Sequence, residues 1–177
     1  PGHSPSRDVI PEPLTAGEIA LRSWGDGEGH LYMSLRDDEV FRFTTESALA
    51  DAAECQAIIA AARDDPRRAA LAVCDPTGTP VGNVAVHRKR DHVEVSYWLS
   101  APARGRGWAA TALRAVTAWI RSTWGEVEVW LEIDPDNQAS IRVAEAAGFR
   151  RVGMRLESAC GGPALVYRRM GDEQTSG

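Results

Sequence analysis

The run Arg104-Gly105-Arg106-Gly107 has the physical form of an anion site. Two glycines let the backbone come close to a ligand, two arginines add cationic donors, and a helical pattern starts directly afterwards at Trp108. A helix N-terminus presents unpaired N–H groups and a partial positive charge, so a phosphate-bearing ligand is the natural occupant. A solvated turn is the competing reading, because glycine marks turns. Neither familiar phosphate loop fits: GxxxxGK[ST] is absent, and position 110 is Ala where a GxGxxG pattern needs its third glycine. His30, His87 and His92 form no metal-ligand cluster with acidic or cysteine neighbours, so no metal is expected. Cys74 and Cys160 lack a local histidine arrangement that would support a covalent intermediate.

The elements around this run can be read from periodicity. Ile19 to Trp24 reads as a first strand, followed by the Gly25-Asp26-Gly27 turn and a stretch that alternates poorly. Ser47 to Ala62 has helical spacing at Leu49, Ala53, Ala57, Ile58 and Ala61, with Ser47 as N-cap and an end before Pro66. Ala69–Val73 and Val81–Val86 read as strands joined by the Asp75-Pro76-Thr77-Gly78 turn, and a second hairpin turn is expected at Arg88 to Asp91. Val93 to Leu99 alternates, with Val93, Val95, Tyr97 and Leu99 on one face and Glu94, Ser96 and Trp98 on the other. After the glycine loop, Ala109, Leu113, Val116 and Ile120 mark a helix that Trp124-Gly125 closes. Val127 to Ile133 is a strand, Asn137 is a cap candidate for a helix striped by Ile141, Ala144 and Ala147, and Gly148 suits its C′ position. Strands over Phe149–Leu156 and Ala164–Met170 complete the sheet, giving an α+β (mixed α/β) class with a mostly antiparallel sheet of about six to seven strands.

The 177 residues suit one compact domain, expected over 14–171, between a disordered proline-rich lead-in over 1–13 and a flexible tail over 172–177. No apolar run approaches the roughly 18 to 20 residues of a membrane span. Three widely separated cysteines fit reduced thiols, and a cytoplasmic location is expected. A net charge of −5 gives no electrostatic reason to bind nucleic acid or an anionic membrane.

The chain resembles the GNAT (general N-acetyltransferase) superfamily, in its RimJ/RimL-like branch. The matching text is Tyr97-Trp98-Leu99-Ser100, then Arg104-Gly105-Arg106-Gly107-Trp108-Ala109, then Asp134-Pro135-Asp136-Asn137-Gln138-Ala139-Ser140, continuing to Gly148-Phe149. The likeness is good from about Val81 to Met170 and loose before that. It implies that Arg104, Gly105, Arg106, Gly107, Trp108 and Ala109 hold the pyrophosphate of acetyl-CoA. It also implies that the strands over Val93–Leu99 and Val127–Ile133 splay, so that the pantetheine arm pairs with backbone near Trp98 and Leu99 and meets Asn137. Asn137 could equally be only the helix cap.

The implied activity is direct transfer of acetyl from acetyl-CoA to a primary amine, either a protein N-terminus or a small molecule such as an antibiotic. Such a transfer needs a neutral amine, a polarised thioester and a donor for the leaving thiolate. The resemblance makes Glu94 the candidate base and Ser140 the candidate acid, with a solvated strand glutamate and a locally bonded helix hydroxyl as the ordinary alternatives. Many relatives carry a tyrosine acid where this chain has Ala144, leaving Ser140, Tyr97 or water to act. Trp24, Phe41, Phe43 and Trp108 are aromatic candidates for the acceptor wall, the region of residues 24 to 45 matching the family least. A CoA-binding module without turnover and a transferase of longer acyl groups remain alternatives. A homodimer is compatible with folds of this kind.

Overall fold

A computed structural model describes residues 13–169. The expected lead-in, apart from Pro13, lies outside these residues, as do Met170 and the tail over 172–177. In chain order the elements are β1 (Leu14–Ala16), β2 (Ile19–Ser23), α1 (Gly29–Ser34), α2 (Asp38–Phe43), α3 (Ala52–Asp64), β3 (Arg68–Cys74), β4 (Pro80–Arg88), β5 (His92–Leu99), α4 (Trp108–Trp124), β6 (Glu128–Ile133), α5 (Gln138–Ala146), β7 (Arg150–Arg155) and β8 (Ala164–Arg169). The strands form one eight-stranded sheet in the order β1-β2-β3-β4-β5-β6-β8-β7. The strand beyond the expected seven is β1, whose three residues are too few to show a period.

Neighbours through β5 are joined by antiparallel pairing, and so are β6, β8 and β7. The pair β5–β6 is parallel, because its connection crosses over through α4. Its ladder has only the rungs His92↔Glu128, Val93↔Val129 and Glu94↔Trp130, and then stops. From Val95 onward β5 keeps its pairing with β4, and β6 keeps its pairing with β8, so the two strands diverge as a wedge toward their C-terminal ends. The expected splay is therefore present. In open sheets the crevice beyond the carboxyl ends of such strands is where ligands bind.

Both faces of the sheet are covered. One face packs on α4, whose buried stripe includes Ala109, Leu113, Val116 and Ile120 as the spacing predicts. Burying a side chain such as Leu113 contributes about 2 kcal/mol. The other face packs a second cluster of Trp24, Tyr32, Val40, Cys55, Ile59 and Trp98. This corrects the reading of Trp98 as part of a polar strand face: it is 5% exposed and stands edge-on to Tyr32, with ring centroids 5.2 Å apart. Alternation in β5 marks two faces, but both are interior at its C-terminal end.

α3 also departs from its predicted phase. It begins at Ala52 with Asp51 as N-cap and Glu54 completing a capping box, and Ser47 lies in the preceding turn. Its sheet-facing residues are Cys55 and Ile59, whereas Leu49 is 93% exposed and Ile58 points outward. Three of the five residues that set the predicted phase are alanines, which pack tolerably on either side and carry little directional information. The poorly alternating stretch after Trp24 forms α1 and α2, each six residues long.

Candidate active site

At the end of β5 the chain makes a 3-10 turn over Ala101–Ala103 and then enters the glycine loop. Gly105 and Gly107 both adopt left-handed backbone, at φ +76° and +77°, which glycine tolerates at no steric cost. A Cβ on either would meet nothing within 4 Å, so the ground in front of the loop is open. Gly107 is the N-cap of α4 and has no side chain to bond the first turn. The first intrahelical bond runs from Thr111 N–H to the Gly107 carbonyl at 3.2 Å, leaving the amides of Trp108, Ala109 and Ala110 at the helix start. Trp108 is anchored by donating Nε1–H to Glu18 at 2.6 Å, and the Arg106 guanidinium lies over its ring at 5.2 Å.

Arg104 points elsewhere. Its guanidinium donates to both oxygens of Asp37, at 2.8 and 2.9 Å, and to Glu39 at 2.7 Å. Hydrogen bonding from Arg104 is the main reason the Asp37 carboxyl is held below the usual range. The folded pKa is depressed, so this contribution is complete at neutral pH and fades only as pH falls through that depressed value. Asp37 also caps α2, accepting from the Val40 amide at 3.1 Å.

On the α5 side of the wedge, Asn137 is the cap of that helix, accepting from the Ser140 amide at 3.1 Å. The Ser140 hydroxyl shares a hydrogen bond with the Tyr97 phenol at 2.6 Å, joining β5 to α5 beside the crevice. Burial pushes the Tyr97 phenol up to about 12, outweighing the opposing pull of Ser140. Ala144 is fully buried one turn further along α5. The phenol beside Ser140 comes from β5.

Glu94 occupies the last rung of the parallel ladder, at the apex of the wedge. Its carboxylate pairs with Lys89 at 3.2 Å and approaches His92 Nε2 at 3.4 Å. Strand alternation sends Glu94 and Tyr97 to opposite faces, so the structure does not bring Glu94 and Ser140 together.

A residue that the sequence does not single out stands on the Trp98 face. Glu46 accepts from the Tyr32 phenol, from Trp98 Nε1–H at 3.3 Å and from Arg36 at 2.8 Å. Arg36 has a side chain only 1% exposed. Its two terminal nitrogens also donate to the carbonyls of Ser47 and Ala50 at 3.2 Å, its Nε is buried without a partner among the described residues, and its guanidinium lies over the Tyr32 and Phe41 rings. Burial and the Glu46 charge together push the Tyr32 phenol far above its ordinary value. Glu46 thus ties α1 and the α1–α2 connection to β5.

Between α2 and the start of α5 lies an open cleft of about 550 Å³, lined by Asp38, Glu39, Arg42, Phe43, Asp136, Asn137, Gln138 and Ala139. Of the aromatic candidates for the acceptor wall, Phe43 lines this cleft. Trp24 and Trp108 are buried in the two cores, and Trp24 donates to Asn83 at 2.9 Å. Among the described residues no group of three or more His, Cys, Asp or Glu could hold a metal ion, and no helix is long and apolar enough to cross a membrane.

A family profile described as the acetyltransferase (GNAT) domain matches residues 18–150. No curated protein matches the chain. Among solved structures, Mycobacterium smegmatis RimJ in complex with CoA-disulfide is similar at a TM-score of 0.80 and 15% identity, covering 92% of this chain and 88% of that one. RimL, a ribosomal L7/L12 alpha-N-protein acetyltransferase in complex with coenzyme A, gives 0.80 and 14%, covering 91% and 99%. The ribosomal-protein-S5-alanine acetyltransferase of Vibrio fischeri gives 0.77 and 14%, covering 91% and 97%. The fold is shared with these enzymes at low identity, and the profile spans most of the chain: it belongs to the GNAT family of acetyltransferases, whose acyl donor is acetyl-CoA.

Proposed function

We propose that the chain acetylates the N-terminal amine of a protein. The observation that carries this reading is the open cleft between α2 and the start of α5, whose lining sets three carboxylates against one cation, Arg42, itself paired with Asp136 at 3.9 Å. Asp38, Glu39 and Asp136 favour a cationic amine, and an open cleft beside Phe43 admits the end of a polypeptide. Similarity to enzymes described as acting on ribosomal-protein N-termini supports the same class. Three free thiols, two of them buried, suit a reducing cytoplasm.

In this reading the loop from Arg104 to Ala109 holds the pyrophosphate through its backbone amides and Arg106. Pantetheine lies in the wedge along Trp98 and Leu99, near Asn137. Glu94, on the strand face opposite the Tyr97–Ser140 pair, acts as base only through a water chain, after its pairing with Lys89 loosens. The Tyr97–Ser140 pair faces the departing sulfur. A phenol held near 12 does not surrender its proton to a thiolate whose acid titrates about three units lower, so the pair works as a hydrogen-bond donor to developing charge.

Ser140→Ala and Tyr97→Phe are each expected to lower kcat by about 10- to 100-fold while leaving CoA affinity within about twofold, read by steady-state kinetics and calorimetry. Normal kcat in both variants would remove the pair from the mechanism. Glu94→Gln is expected to lower kcat by about 100-fold, and an unchanged rate would transfer the base role elsewhere. The acceptor class is tested by acetylation of a panel of N-terminal peptides alongside polyamines and aminoglycosides. Preference for peptides supports the proposal, transfer only to small amines overturns it, and CoA binding with no transfer to any amine favours a binding module.

A further inference from the structure

The loop assigned to the donor and the cleft assigned to the acceptor are joined by one side chain. Arg104 opens the glycine loop, yet its guanidinium leaves the anion site and grips α2 through three charge-assisted contacts of 2.7 to 2.9 Å. Two go to one carboxylate in a bidentate fork, the geometry in which arginine is least replaceable by lysine. The acceptor of that fork, Asp37, is the N-cap of α2, and Glu39, which takes the third contact, also lines the cleft. α2 is only six residues long and buries one residue, Val40, and its other tethers are the Arg36 guanidinium over the Phe41 ring and the exposed Arg42–Asp136 pair at 3.9 Å.

We propose that Arg104 is a positioning residue: its side chain straps the acceptor-side helix α2 to the donor loop, so that filling the loop with CoA orders the acceptor wall. Pyrophosphate bound by the amides of the loop fixes the backbone from which Arg104 springs. A fixed base lowers the entropy lost in holding the fork, and the fork is thereby strengthened when donor is present. Arg104 contributes little to CoA affinity through its guanidinium, because Asp37 and Glu39 already occupy it. The inference rests on the donor-loop and cleft assignments made above.

The test uses the full chain with CoA alone as probe, following amide hydrogen exchange over residues 38–43 and 104–109 and CoA affinity by calorimetry. Wild-type protein is expected to gain protection in both segments on adding CoA, with exchange over 38–43 slowed about fivefold or more. Asp37→Asn retains a capping oxygen for Val40 while losing the charge, so it separates the strap from the cap. In Asp37→Asn and Arg104→Met, CoA should bind within about threefold of wild type and still protect 104–109, while the CoA-dependent gain over 38–43 disappears. A purely structural role would lower protection of α2 with and without CoA and leave no such gain to lose. CoA binding to wild type with 38–43 unmoved overturns the strap alone, and so does a tenfold loss of CoA affinity in Arg104→Met. Failure of wild type to bind CoA overturns the donor-loop assignment and the strap together.

Discussion

Replacing Gly107 with aspartate is expected to abolish CoA binding in a protein that remains folded. The position sits at φ +77°, and a Cβ there would meet nothing within 4 Å, so the cost to the fold is the left-handed backbone alone. Aspartate is among the side chains that tolerate that region, at about 1 kcal/mol. The lost binding comes from placing a carboxylate at the helix start that the proposal assigns to the pyrophosphate, and a like-charge contact of this kind costs several kcal/mol. An affinity loss of about 100-fold or more corresponds to roughly 3 kcal/mol. Gly107→Ala, which adds the strain without the charge, should keep most of the affinity. Calorimetric titration of both variants decides the matter: a folded Gly107→Asp protein with wild-type affinity would mean that the loop is only a turn.

The largest effect on stability is expected at Glu46. Its removal leaves Arg36, buried to 1% of its side-chain surface, with two backbone carbonyls and two aromatic rings but no counter-charge. Breaking a buried ion pair by deleting one partner costs about 3 to 5 kcal/mol. Glu46→Ala should therefore unfold roughly 6 to 12 °C earlier by calorimetry, taking the lower figure because Glu46 is slightly exposed. Glu46→Gln keeps acceptors for Tyr32 and Trp98 and should lose markedly less. If the alanine variant melted within a degree or two of wild type, the network would be incidental to the fold.

Much of this arrangement is legible in the chain. Period and glycine alone place α4, β5 and the glycine loop, since a long apolar stripe, a clean alternation and two positions needing left-handed backbone are local signals. The wedge comes only from the family resemblance, because where a ladder stops depends on strands brought together from different parts of the chain. Glu46 is invisible for the same reason. Its three donors lie 14, 10 and 52 residues away, and nothing in the Thr44-Thr45-Glu46 text marks it. Arg104 stands out as a cation, but its partners 65 and 67 residues upstream cannot be read from the loop. Alanine-rich α3 shows the converse limit: a helix can be recognised and still be rotated, when its small residues do not say which side faces the sheet.

The short parallel ladder has a mechanical consequence. β1 to β5 form one stiff antiparallel unit and β6 to β8 another, and the sheet couples them through three rungs at the closed end. The sheet is therefore built as two plates on a narrow joint, with α4 packed on β1, β2 and β5 of the first plate and against α5. A small rotation of one plate about this joint would change the width of the crevice without unpairing any strand.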